Sequence, residues 1–255
     1  FCRPWRVKEA IRQINALRPA FVVHCGDIIT AFPFTEHYEQ QCQNAVQVLR
    51  KFAVPVYLVA GNHDIGNQRN MRVWSEKWLA RRKITLEALL FKPAYRAVYR
   101  KYFGDDYYAF SARGCKFIIL DDEICNSGLA LEREQERWLE QQLASGRASH
   151  RLVFLFAHNP LFWNRPDEPG PKNYEPVLEP ARSRLLALLA KYRPSAMYTG
   201  HTHFAFSNEY RGVHLRTINS TTFNRNYSGI PQNMSAQAQI YDPYKLAFLL
   251  VRVVG

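Results

Sequence analysis

The chain has no apolar run approaching the roughly 20 residues that a membrane-spanning helix requires, so no segment of its 255 residues reads as a transmembrane helix. It has no internal repeat and no low-complexity tract, which argues against a solenoid or a linker array. No signal peptide is recognisable. Its five cysteines are an odd number without metal-type spacing, so neither a zinc module nor a disulfide framework is indicated. They read as free, mostly buried thiols of a reducing compartment. Three Asn-x-Ser/Thr triplets, at Asn219, Asn226 and Asn233, fall in one Asn/Ser/Thr-rich stretch where such triplets arise easily. Acidic residues are also scarce, 22 against 34 Lys and Arg, for a net charge of +12. That excess suits an anionic partner or the mitochondrial matrix, and an intracellular location with the matrix favoured over the cytoplasm is the expectation.

What is present is a set of polar clusters, each closing a short apolar run. Asp27 ends His24-Cys25-Gly26-Asp27 after Ala20-Phe21-Val22-Val23. Asn62, His63 and Asp64 follow Val56-Tyr57-Leu58-Val59. His158 follows Leu152 to Ala157, and His201 and His203 follow Ala196-Met197-Tyr198-Thr199. Short runs rich in β-branched and aromatic residues read as buried strands. Ligands gather at the carboxyl ends of strands in α/β sheets. One Asp, one Asn and four His are therefore expected on one rim, a donor set suited to a divalent metal. Each alone has a plainer reading: Asp27 as a turn cap, Asn62 as a turn residue, His63 and His158 as core histidines. His24 reads as buried structure, and His37, His150 and His214 as surface or packing residues. Asp121 and Asp122 end a strand and are candidates for outer support of the site.

The order Asp, Asn-His-Asp, His, His-x-His resembles the calcineurin-like metallophosphoesterases, most closely their small phosphoesterase-domain proteins. The shared wording is Cys25-Gly26-Asp27-Ile28-Ile29, Gly61-Asn62-His63-Asp64-Ile65-Gly66, His158-Asn159-Pro160-Leu161-Phe162 and Gly200-His201-Thr202-His203. The resemblance implies an α/β fold of two facing mixed β-sheets flanked by helices, and metal-dependent hydrolysis of a phosphoester of phosphomonoesterase or protein phosphatase type. It assigns Asp27 as a bridging ligand, Asn62, His158 and His201 to a second metal, and His203 to a first. It makes His63 the general acid and leaves Asp64 to shape the turn. The metals it implies are manganese, iron or zinc, and the partner a phosphorylated substrate.

Two departures qualify that expectation. The family opens with a strand ending in Asp-x-His or Asp-x-Gln, which supplies two further ligands to the first metal. The segment before Asp27 reads instead as one basic amphipathic helix with Trp5, Val7, Ile11, Ile14 and Leu17 on its apolar positions. A preceding piece carrying the strand is therefore expected, with two metals bound if it is there and one or none otherwise. The second departure is Thr30, where many relatives carry an Asp that orients the histidine equivalent to His63. Thr cannot balance an imidazolium charge.

The chain is expected to be a single domain over 1–255, with helices at 5–17, 36–52, 131–143 (Gly146 reading as its stop soon after) and 180–192 and a hairpin turning at Arg113-Gly114. Further strands are expected at 213–218 and 246–254. A basic helical insertion is expected at 69–103. Between Arg69 and Lys101 it holds ten basic residues against Glu76 and Glu87, interleaved with Trp74, Trp78, Phe91, Tyr95 and Tyr99. It reads either as a solvated helix face with a packed aromatic side or as a contact for an anionic partner such as RNA, a ribonucleoprotein or an acidic membrane surface. The alternative function is thus a degenerate, catalytically weak phosphoesterase fold serving as a structural subunit or RNA-associated module.

Overall fold

The computed structural model describes residues 4–68, 76–169, 176–222 and 247–253. Two sheets form. The smaller pairs β1 (Val22–His24) with β2 (Val56–Leu58) in parallel. The larger comprises β3 (Tyr108–Ala112), β4 (Cys115–Ile119), β5 (Leu152–Phe156), β6 (Ala196–Thr199), β7 (Phe206–Tyr210) and β8 (Val213–Thr217). Its spatial order is β3-β4-β5-β6-β8-β7, with β4, β5, β6 and β8 mutually parallel and an antiparallel strand at each edge.

Alternation along β4 and β5 builds both layers, since successive side chains of a strand face opposite ways. Phe117 and Phe154 turn toward the small sheet, where Phe21 meets Phe117 edge-on at 4.9 Å and Tyr57 stacks on Phe110 at 3.6 Å. Ile118, Val153 and Leu155 turn the other way, onto Leu139 and Leu143 of α7 (Ala130–Ser149) and Leu185, Leu186 and Leu189 of α8 (Ala181–Tyr192). The sheets thus face each other across an aromatic layer, with helices outside, as the resemblance implied.

Some expectations change. The helix expected to stop near Gly146 runs on to Ser149. A Cβ at Gly146 would lie 2.9 Å from Val153 Cγ2 and 3.1 Å from Lys116 Cδ, so this glycine permits close packing of α7 on β4 and β5 rather than ending the helix. The insertion is not one long helix but α4 (Glu76–Arg82), α5 (Leu86–Leu89) and α6 (Pro93–Phe103). Thr85 caps α5 by accepting from Ala88 N, and Pro93 opens α6, which divides the segment. Arg69, Arg72 and Trp74 lie outside the described residues. β7 was not anticipated: its Ser207, Asn208 and Glu209 hide the alternation on an edge strand. Its turn has the same signature as the anticipated hairpin, Arg211-Gly212 matching Arg113-Gly114, all four at positive φ as a two-residue hairpin turn requires. Of the strand expected over 246–254, residues 247–253 form none, and 246 and 254 lie outside the described residues.

At the other end, α1 (Pro4–Leu17) buries Ile11 and Ile14 but leaves Trp5 and Leu17 exposed, so the anticipated apolar face is only half used. α2 (Tyr38–Leu49) is shorter than expected and buries Tyr38 and Cys42. Among the described residues, no helix is long and apolar enough to cross a membrane.

Candidate metal centre

The loops after β1, β2, β5 and β6 meet. After β1 the chain passes through Gly26 and Asp27, both at positive φ, and delivers the Asp27 carboxylate inward. After β2, Asn62 opens the single-turn helix α3 (Asn62–Ile65). After β5 comes His158, and after β6 comes His201, also at positive φ.

Their polar atoms converge on His158 Nε2. His201 Nδ1 lies 2.9 Å from it, Asn62 Oδ1 3.2 Å and Asp27 Oδ1 3.4 Å. The other ring nitrogen, His158 Nδ1, donates to the Cys25 carbonyl at 2.7 Å. In the neutral ring this leaves the Nε2 lone pair facing two oxygens and a second imidazole. A carboxylate oxygen, an amide oxygen and two imidazole nitrogens around one point are what a divalent cation takes. Among the described residues, the buried Asn62 amide nitrogen has no hydrogen-bond partner. The residues present fit such an ion. Among the described residues, the His, Cys, Asp and Glu ligand atoms that gather within 4.8 Å of one another are those of Asp27, His158 and His201.

Charge in the site is strongly coupled. Burial opposes ionisation of Asp27, but His158, His63 and His201 outweigh it and hold the carboxyl well below its ordinary value. Burial likewise disfavours the His158 imidazolium, yet Asp27, Glu123 and Asp122 push its pKa up to about 10. A metal ligand must shed that proton, so metal competes with it.

The loops are locked by buried carboxylates. Asp64 accepts from Gly61 N at 2.9 Å, Ile28 N at 3.1 Å and Ile29 N at 3.2 Å, tying the Asp27 loop to the Asn62 turn. Burial first, and then the Asp27 charge, raise its pKa to about 7. Tyr38 donates its hydroxyl to the Asp64 carbonyl. Asp122 accepts from His158 N at 2.7 Å and from the backbone and side-chain nitrogens of Asn159 at 2.8 Å each. Close approach demands two glycines here. A Cβ on Gly26 would fall 2.3 Å from His158 Nδ1, and one on Gly61 2.3 Å from Asp27 N.

The structure brings together Asp27, Asn62, His158 and His201. His203 is half-buried on the same loop at positive φ, outside the clustered ligand atoms. His63 is adjacent: its backbone N–H donates to Asp27 Oδ1 at 3.1 Å while its ring stacks on Phe32 at 4.1 Å. Asp121 turns away and caps the 3₁₀ turn Asp122–Ile124 by accepting from Glu123 N. His24 sits half-buried in β1, its basicity lowered to about 4 by burial. Sequence reading missed Asn159 and Glu123, which hydrogen-bond at 2.8 Å. The dipeptide His158-Asn159 was the available signal. It also missed the carbonyls of Cys25 and Thr30, for which residue identity carries no signal.

In the insertion, Arg96 pairs with buried Asp106 at 2.5 Å and Lys101 with Glu39 at 2.8 Å, while Lys77, Arg81 and Lys83 are exposed. Phe91 and Tyr99 are core residues, unable to stack on bases, so the RNA expectation draws no support from the described residues.

Comparison with known proteins agrees with this geometry. The profile of the calcineurin-like phosphoesterase family matches residues 3–205. The chain belongs to that family. Divalent-metal phosphoester hydrolysis is the general chemistry of that family. Among curated relatives, the serine/threonine-protein phosphatase CPPED1 of Bos taurus is 27% identical over 216 residues, covering 82% of this chain and 61% of its own length. The Danio rerio protein of the same name is 30% identical over 204 residues, covering 77% and 58%. The chain thus spans about three-fifths of the length of these relatives. Among solved structures, a dimetal phosphatase from Danio rerio aligns with TM-score 0.54 at 18% identity, over 86% of this chain and 78% of that one, a likeness of fold.

Proposed function

We propose that this calcineurin-like phosphoesterase chain binds a divalent ion through Asp27, Asn62, His158 and His201 and hydrolyses a phosphomonoester on a phosphorylated protein. The observation that carries the reading is the convergence of those four side chains on one point, with His63 at its margin. The CPPED1 name of the relatives supports the choice of a phosphoprotein substrate.

Lewis acidity, to neutralise phosphate charge and acidify water, is the chemistry that manganese, iron or zinc supplies when bound. The protein's own residues do the rest. Asp27 and Asn62 present oxygens and His158 and His201 present nitrogens, oriented by the Cys25 carbonyl and by Asp122. His63 donates a proton to the departing oxygen. Its Nδ1 faces the Thr30 carbonyl at 2.8 Å, so in the imidazolium the proton on Nε2 is the one available for transfer. After transfer the ring is left as the Nδ1–H tautomer, which the Thr30 carbonyl already matches. His203, outside the cluster, is kept as a ligand for a further metal.

That placement of His203 favours a second reading, a weakly active fold serving as a structural subunit. Manganese and zinc titration of the purified chain, followed by assay on p-nitrophenyl phosphate and a phosphoserine peptide, separates the two. Metal-dependent turnover that His158→Ala abolishes supports the enzyme. Metal binding without turnover supports the subunit.

A further inference from the structure

His63 is held from two sides by groups that never touch the metal cluster. Its Nδ1 faces the Thr30 carbonyl at 2.8 Å, and its ring lies 4.1 Å from that of Phe32 at an interplanar angle of 22°. The Thr30 side chain does not serve the histidine. Its hydroxyl donates instead to Gln41 Oε1 at 3.1 Å. The same Gln41 oxygen accepts from Thr30 N at 3.2 Å and Ala31 N at 3.0 Å. Three hydrogen bonds from one α2 side chain therefore fix the peptide segment whose carbonyl orients the imidazole.

Phe32 is fixed as firmly. Phe34 stacks on it at 5.6 Å and 11°, and both rings pack with Leu79 and Ile84 around fully buried Leu89. Its carbonyl accepts from Thr35 N at 2.9 Å and Thr35 Oγ1 at 2.8 Å. An imidazole turns freely about its last side-chain torsion unless something occupies its face or its nitrogens. Here the Phe32 ring blocks one face and the Thr30 carbonyl selects one nitrogen. A polar contact and a stack thus do, without charge, what an acidic side chain would do at position 30.

We propose that Phe32 and Gln41 are positioning residues for His63: Phe32 sets the plane of its ring, and Gln41, through the Thr30 carbonyl, sets which nitrogen carries the proton in the neutral form. The catalytic consequence rests on the reading of His63 as proton donor. The positioning does not, and this lets the two be tested apart.

The experiment is long-range ¹H–¹⁵N NMR of the metal-free chain labelled at histidine nitrogen, with His63 assigned from the spectrum of His63→Gln. In the parent, His63 is expected as the Nδ1–H tautomer with ring protons shifted upfield by Phe32. Phe32→Leu should remove the upfield shift. Gln41→Leu should move the tautomer population toward Nε2–H, while Gln41→Glu, which keeps the acceptor oxygen, should restore the parent pattern. In parallel, Phe32→Leu and Gln41→Leu should lower kcat for an alkyl phosphate about 10-fold to 10²-fold, as for misplacement of a reacting group. KM and metal affinity should hold, and p-nitrophenyl phosphate should suffer less. Unchanged His63 signals in both variants would overturn the proposal. Altered signals with kcat intact in an active parent would uphold the positioning and overturn its catalytic consequence. A parent without turnover would remove the phosphatase reading, while the NMR result would still decide whether these residues position the ring.

Discussion

The carboxylate of Asp122 accepts the backbone N–H of His158 at 2.7 Å, and its second oxygen takes both nitrogens of Asn159. Bulk water does not reach these bonds, because Asp122, Asn159 and His158 are all buried. Asp122→Asn would set an NH₂ group against at least one of these N–H donors. Loss of a group that orients a metal ligand costs roughly 10-fold to 100-fold in metal affinity. We expect that loss for manganese or zinc by calorimetric titration, with far-UV circular dichroism unchanged. Affinity equal to the parent's would show that the His158 loop is held elsewhere.

Metal loading should follow the donor cluster. His201→Ala and Asn62→Ala should each weaken binding strongly, whereas His203→Ala should leave the first equivalent in place, since its ring is not among the clustered ligand atoms. Because the folded chain alone presents the site, saturating metal should also stabilise it, by about 2.7 kcal/mol at a free concentration of 100 Kd. Thermal unfolding with and without chelator checks this. Two tight equivalents on this chain would contradict the single four-donor site.

The rim of the site was legible because its strands are short apolar runs followed closely by polar residues, and β1, β2, β5 and β6 end two to four residues before Asp27, Asn62, His158 and His201. The Asp64 turn was legible from its motif. What was hidden depends on chain curvature. The carbonyls of Cys25 and Thr30 that orient His158 and His63 belong to residues whose side chains are irrelevant to the task. Asp121 and Asp122 are the same residue type in adjacent positions, and only the 3₁₀ turn after β4 decides which of them reaches His158. Gly146 reads as a helix stop until Val153 is seen beneath it. The Ser-Asn-Glu centre of β7 conceals an edge strand because one of its faces is wet.

Stability should depend on pH through Glu123, which is buried and accepts from Gln68 N and Asn159 Nδ2 at 2.8 Å each. Burial first, and then the Asp122 charge, raise its pKa from about 4.5 to about 8. Between those values the folded chain binds more protons at this site than the unfolded chain. Its contribution to stability is therefore full below about pH 4.5 and declines as pH rises through about 8. Glu123→Gln removes the titration, so its melting temperature should fall less than the parent's across that range, measured in chelator to exclude metal effects. Parallel curves for the two proteins would sink the assignment.

His63 is the sharpest test of the chemistry. Its ring lies beside the donor cluster, and only its backbone N–H meets Asp27. His63→Ala should therefore spare metal affinity while lowering turnover by roughly 10²–10⁴, the usual range for loss of a general acid. The loss should grow with the basicity of the leaving group. An alkoxide needs a proton as the bond to phosphorus breaks, whereas p-nitrophenolate leaves nearly unaided. A series of aryl and alkyl phosphates should thus give a steeper dependence of log kcat on leaving-group pKa in the variant than in the parent. Equal losses across the series would take proton donation away from His63 and leave it as a binding group for the phosphate.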